Sequence, residues 1–142
     1  MRRRLILVVT IAVVALALTA LAVTRGGGGS DDSTPAAFPA QKLSAGQIDI
    51  TLQPDHVDGT GAEVKVTLDT HAGDLDMDLL TGATLEVGGV RWPAVAWEGD
   101  GPGGHHREGR LRFESAGPER GPIELRLDGF DGPVVASWGS GS

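Results

Sequence analysis

The chain has no cysteine and no tyrosine, and it has only 3 Trp and 3 Phe among 142 residues. Without cysteine there can be no disulfide, no thiolate metal site, no thiol nucleophile and no lipid-modified cysteine. The scarcity of aromatic rings leaves little surface on which a sugar could stack. The length leaves room for one small domain, so a multidomain enzyme is excluded and stability must come from packing.

Basic residues are scarce beyond the N-terminus. Four of the 12 lysines and arginines, Arg2, Arg3, Arg4 and Arg25, flank the first apolar run, whereas all 19 acidic residues follow residue 30. The resulting negative field repels phosphate backbones and anionic lipid surfaces. We therefore expect no nucleic-acid partner and no attachment to a membrane through a basic patch.

The N-terminus is a long apolar segment. Residues 5–24 contain no charge, and a helix of this length spans the ~30 Å hydrocarbon core of a bilayer. The preceding arginines should stay in the cytoplasm, which places the rest of the chain outside it. The sequence predicts a signal anchor or transmembrane segment over residues 1–25 and single-pass attachment to the cell membrane. The alternative is a cleaved signal peptide, because Ala20-Leu21-Ala22 is an A-x-A site and cleavage after Ala22 would secrete the domain.

Two segments lack apolar periodicity. Residues 26–44 are rich in Gly, Pro and Asp, which predicts a flexible linker. Residues 139–142 predict a disordered tail.

The region between them alternates apolar and polar residues with a period of two. Alternation over residues 48–52, 64–68 and 75–79 predicts half-buried strands, and Gly88-Gly89 predicts a tight hairpin turn. Further short strands are predicted over residues 84–87, 90–92, 94–97, 111–114, 123–127 and 134–138, and no window has a helical period. We predict an all-β domain over residues 45–138: an antiparallel immunoglobulin-like β-sandwich of about seven strands. A small closed barrel is the alternative.

A glycine-rich loop contains half of the four histidines. His105 and His106 lie in it, and His71, at the end of a predicted strand, could supply a third imidazole for Zn(II) or Cu(II). Cu(I) is disfavoured because Met77 is the only methionine besides Met1. Adjacent strand residues face opposite ways, so His105 and His106 could share an ion only on an irregular backbone. The structural alternative is that one histidine packs against Trp97 or caps backbone groups.

Three alternating aspartates, Asp74, Asp76 and Asp78, would project from one strand face. Like charges repel there unless cations lie near, yet the calcium-loop pattern fails because Leu79 and Leu85 stand where it needs Gly and Glu. A solvated acidic face that discourages aggregation is favoured. Asp74 or Asp78 could also orient the imidazole of His71.

Patterns for catalysis are weak. The Gly99-x-Gly101-x-x-Gly104 spacing matches a dinucleotide fingerprint but lacks its βαβ context, and no Gly-x-Ser-x-Gly elbow occurs. Trp97, like the other tryptophans, is expected to anchor the core rather than stack a ligand. We expect a protein that is not an enzyme, with a hydrolase as a weaker option.

Three short motifs follow one another along the domain: Leu-Asp-Thr-His ending at His71, Trp97-x-Gly99, and Gly-Gly-His-His-Arg-x-Gly-x-Leu-x-Phe around Arg107. This arrangement resembles a group of small, uncharacterised exported or membrane-anchored prokaryotic proteins. The resemblance covers roughly residues 45–138 and implies that His71, His105, His106 and Arg107 belong to one site, without naming a ligand. The alternative is a structural signature in which Arg107 pairs with a carboxylate and the histidines bond loop carbonyls.

These observations predict a membrane-tethered binding module outside the cytoplasm. In the first hypothesis, His71, His105 and His106 bind Zn(II) or Cu(II), with Arg107, Asp74, Asp78 and Trp97 around them. In the second, the domain is a metal-free structural or interaction module that contacts another envelope protein.

Overall fold

The computed structural model describes residues 38–139, which form nine strands and one short helix. The strands are β1 Gln41–Ala45, β2 Ile48–Asp58, β3 Gly61–Thr70, β4 Ala83–Val87, β5 Val90–Trp92, β6 Ala94–Gly99, β7 His106–Phe113, β8 Ile123–Leu127 and β9 Val134–Trp138. The helix α1 is Leu79–Gly82. The predicted membrane segment, the linker up to residue 37 and residues 140–142 of the predicted tail lie outside the described residues. Among the described residues, no helix is long and apolar enough to cross a membrane.

Two antiparallel sheets form a sandwich. The first has the order β1-β2-β3-β7-β6 and the second the order β5-β4-β8-β9. Apolar residues at every second position are buried, as in β8 and β9, where buried and exposed residues alternate strictly. The inward side chains of both sheets form one hydrophobic core, so the prediction of an all-β sandwich is confirmed.

The tryptophans fill much of that core. Trp92 is completely buried and Trp138 is 3% exposed, while Trp97 is partly buried at the edge of the core. Burial of an indole contributes more apolar area than most other side chains. The described residues contain nine strands rather than about seven.

The structure differs from the prediction at residues 41–44, which belong to β1 instead of the linker. β1 pairs with β2 along its whole length, from Gln41 opposite Leu52 to Ala45 opposite Ile48. Its apolar content is low, but two contacts fix this edge to β9 of the other sheet. The Gln41 amide donates to the carbonyl of Ser137, and the Trp138 indole donates to the carbonyl of Pro39 at 2.7 Å.

The strand predicted over residues 75–79 is wrong. This segment is an extended connection that leads into α1. Asp78 caps the helix by accepting from the backbone N–H groups of Leu80 and Thr81, and the Thr81 hydroxyl bond lowers the pKa of Asp78. Leu75 and Leu79 are still buried, so the alternation came from two core contacts and not from a strand.

Four connections meet at one end of the sandwich, here called the loop end. They are the β1–β2 turn at 46–47, the β3–α1 segment 71–78, the β6–β7 loop 100–105 and the β8–β9 loop 128–133. The turn and the last loop approach each other at Gly46 and Asp131. β1 begins and β9 finishes at the opposite end, where Pro39 meets Trp138.

Candidate functional site: the loop end of the sandwich

Arg107 is the buried cation of the loop end. It points inward from β7 and is only 3% exposed. Its Nε donates to the carbonyl of Asp100 at 3.1 Å, and its Nη1 donates to the carbonyls of Leu75 at 3.2 Å and Met77 at 2.7 Å. A buried charge is tolerated only when it is well hydrogen-bonded. Arg107 therefore joins the 71–78 segment and the 100–105 loop to the first sheet.

Trp97 packs beside this guanidinium. The Arg107 Cζ lies 5.4 Å from the Trp97 ring centroid, a cation–π distance. The indole N–H donates to the Asp100 carbonyl at 2.9 Å. Gly109 makes room for the ring, because a Cβ at that position would lie 2.6 Å from Trp97 Cζ2. The Trp-x-Gly and Arg-x-Gly motifs thus form one packed unit.

The two loops are also hydrogen-bonded to each other. The backbone N–H of Leu75 donates to the carbonyl of Gly104 at 3.0 Å, and the carbonyl of Leu75 accepts from the N–H of Gly103 at 2.8 Å. Gly103 and Gly104 have φ of 108° and 77°, values that residues other than glycine rarely adopt. The pairing of β3 with β7 continues beyond the strands, since Thr70 donates to the carbonyl of His105 at 2.9 Å.

The two adjacent histidines have different partners. The Nδ1 of His105 donates to the carbonyl of Thr70 at 3.3 Å, which fits the structural alternative of a histidine that caps a backbone group. The Nδ1 of His106 donates to the Asp69 carboxylate at 2.6 Å. This bond, with the negative charges of Asp69, Glu108 and Asp100, raises the pKa of His106.

The remaining predicted site residues, His71, Asp74 and Asp78, are exposed. His71 is exposed in the bend after β3, and Asp74 and Asp78 are exposed in the segment that follows. Within residues 38–139 no group of three or more His, Asp or Glu side chains is placed to hold a metal ion. The structure therefore brings Trp97 and Arg107 together, and His105 and His106 each to a different residue of β3, but it does not assemble a metal-ligand set from them.

Acidic side chains dominate the surface of the loop end. The segments 71–78, 100–105 and 128–133 contain six aspartates and neither lysine nor arginine. A shallow concavity of about 430 Å³ lies between Asp76, Asp78 and Asp128, with Met77 and glycine backbone in its wall. Asp128 is paired with Arg126 of β8 at 3.2 Å, and the other carboxylates give this end a negative potential.

The outward face of the first sheet is charged but internally paired. Lys65 lies 3.1 Å from Glu108, Arg112 lies 3.0 Å from Glu98, and Arg110 contacts Asp55 and Glu63. Apart from Glu63, these side chains are well exposed, and exposed pairs contribute little to stability. Because the charges compensate one another, this face lacks the single-sign potential of the loop end.

Two residues of the site, Asp69 and Asp100, are not among the candidate residues predicted from the sequence. Asp100 fixes the loop through four bonds: its carbonyl accepts from Trp97 and Arg107, its carboxylate accepts from the Glu108 N–H, and its own N–H donates to the Glu108 carbonyl. Asp69 stands directly opposite His106 in the β3–β7 register. Pairing of the predicted 64–68 strand with the His-His-Arg block places Asp69 there, but the alternation of residues does not determine the register between two strands.

Comparison of the chain with protein-family models, curated proteins and solved structures finds no match.

Proposed function

We propose that the chain is a membrane-tethered interaction module of the cell envelope, which binds a protein with a basic surface through the loop end of its sandwich. The observation that carries the proposal is the set of hydrogen bonds from Arg107 to the carbonyls of Leu75, Met77 and Asp100, here called the Arg107 clamp. Loops that bind partners are commonly presented on a rigid scaffold, and a buried arginine bonded to three loop carbonyls provides that rigidity here. A preorganised loop loses less conformational entropy on binding.

The partner's chemistry follows from charge. Six aspartates lie in the presented loops, and complementary charge accelerates association and selects partners. A basic surface fits this end, whereas an anionic one would be repelled. The metal-free hypothesis is the one we adopt, since the described residues offer no set of three ligands.

The location of the module rests on the N-terminal sequence. Residues 5–24 are uncharged and follow three arginines, so a single-pass anchor with the domain outside the cytoplasm is part of the proposal. The sandwich is proposed to be immunoglobulin-like, an architecture that places its loops at the two ends of the strands. The tether reaches the domain at the start of β1, which is opposite the loop end.

Crosslinking in intact cells tests the proposal. A photoreactive residue is placed at Gly101, where a side chain meets no atom within 4 Å and no positive φ is required. The matched control is Ala116, an exposed residue in the connection at the opposite end. We expect a discrete protein crosslink from Gly101 but not from Ala116.

Charge neutralisation identifies the chemistry of the partner. We expect Asp74→Asn/Asp76→Asn to weaken the Gly101 crosslink, and Glu114→Gln/Glu119→Gln, at the opposite end, to leave it intact. Equal crosslinking from both ends, or no crosslink from Gly101 in a folded protein, would contradict binding at the loop end. A discrete crosslink that the aspartate variant does not weaken would refute the basic partner surface.

A further inference from the structure

We draw no further inference here: the strongest candidate, the acidic concavity between Asp76, Asp78 and Asp128 at the loop end, belongs to the site already described, and nothing else in the structure points to a ligand there.

Discussion

Trp97 and Arg107 donate to the same carbonyl oxygen, that of Asp100, at 2.9 and 3.1 Å, while the guanidinium lies 5.4 Å from the indole centroid. One side chain comes from the edge strand β6 and the other from its neighbour β7. Their shared acceptor fixes the start of the β6–β7 loop. The loop is thus held by the sheet from which it emerges as well as by the 71–78 segment.

Replacement of Arg107 with methionine should destabilise the domain by roughly 3 kcal/mol. Methionine keeps much of the apolar stem but leaves the carbonyls of Leu75, Met77 and Asp100 without their charged donor. Urea unfolding of the purified domain measures the change. Lysine should rescue only part of the loss, because an ammonium cannot reproduce the geometry of Nε and Nη1 donation.

Arg112→Met is the control for the loss of a positive charge from β7. Its guanidinium is exposed and pairs with Glu98 at 3.0 Å, so we expect a loss of no more than about 1 kcal/mol. If the Arg107 and Arg112 variants lost equal stability, the hydrogen bonds of Arg107 would not be a major contribution to the free energy of unfolding.

A glycine exchange tests the packing of Trp97 separately. Gly109→Ala should cost about 1–3 kcal/mol, because its Cβ would lie 2.6 Å from Trp97 Cζ2 and 2.7 Å from the Glu98 carbonyl. Gly101→Ala has open space and should be neutral or slightly stabilising, since it restricts the unfolded chain. Thermal unfolding compares the two variants, and equal melting temperatures would refute the predicted steric conflict at Gly109.

Stability should depend on pH through His106. The Asp69 hydrogen bond raises the folded-state pKa of His106 above its ordinary value of 6.5. A raised pKa means that the folded state binds the proton more tightly, so the stabilisation is complete below pH 6.5 and is lost as pH rises through the folded-state pKa. NMR titration of the imidazole measures the pKa, and urea unfolding over the same pH range measures the stability.

Asp69→Asn provides the control for this pH dependence. The amide keeps the size of the side chain but removes the negative charge that favours the imidazolium. We expect the pKa of His106 to fall toward its ordinary value. The loss of stability that His106 causes as pH rises should then become smaller. A titration curve unchanged by this substitution would show that Asp69 is not the main cause of the shift.

Much of the sandwich could be predicted from the sequence because its strands bury alternate residues. The alternation around Val64 and Val66, and the Gly88-Gly89 turn, correspond to β3 and to the β4–β5 hairpin. The same signal failed at Leu75 and Leu79, since a period of two does not distinguish a strand from two separate core contacts. It also missed β1, an edge strand fixed by side-chain bonds to residues nearly a hundred positions away.

The candidate site was harder to predict. Trp97 and Arg107 both stand in the sequence motifs, but no motif indicates the acceptor for the guanidinium. Carbonyl oxygens of Leu75, Met77 and Asp100 fill that role, and a backbone acceptor leaves no residue-specific signal in the sequence. A carboxylate partner would be visible in the sequence as an Asp or Glu. The structural alternative for Arg107 therefore names a carboxylate.

Metal titration is the last test, since it separates the two hypotheses for the histidines. Calorimetry with Zn(II) and Cu(II) on residues 26–142 without a histidine tag should give no stoichiometric binding, because His105 and His106 direct Nδ1 to separate partners on β3 and zinc requires several ligands around one point. His105→Ala/His106→Ala should instead lower the unfolding midpoint by removing the bonds to Thr70 and Asp69. Stoichiometric binding at micromolar concentration or tighter, lost in this variant, would overturn the metal-free proposal and make the loop a metal site.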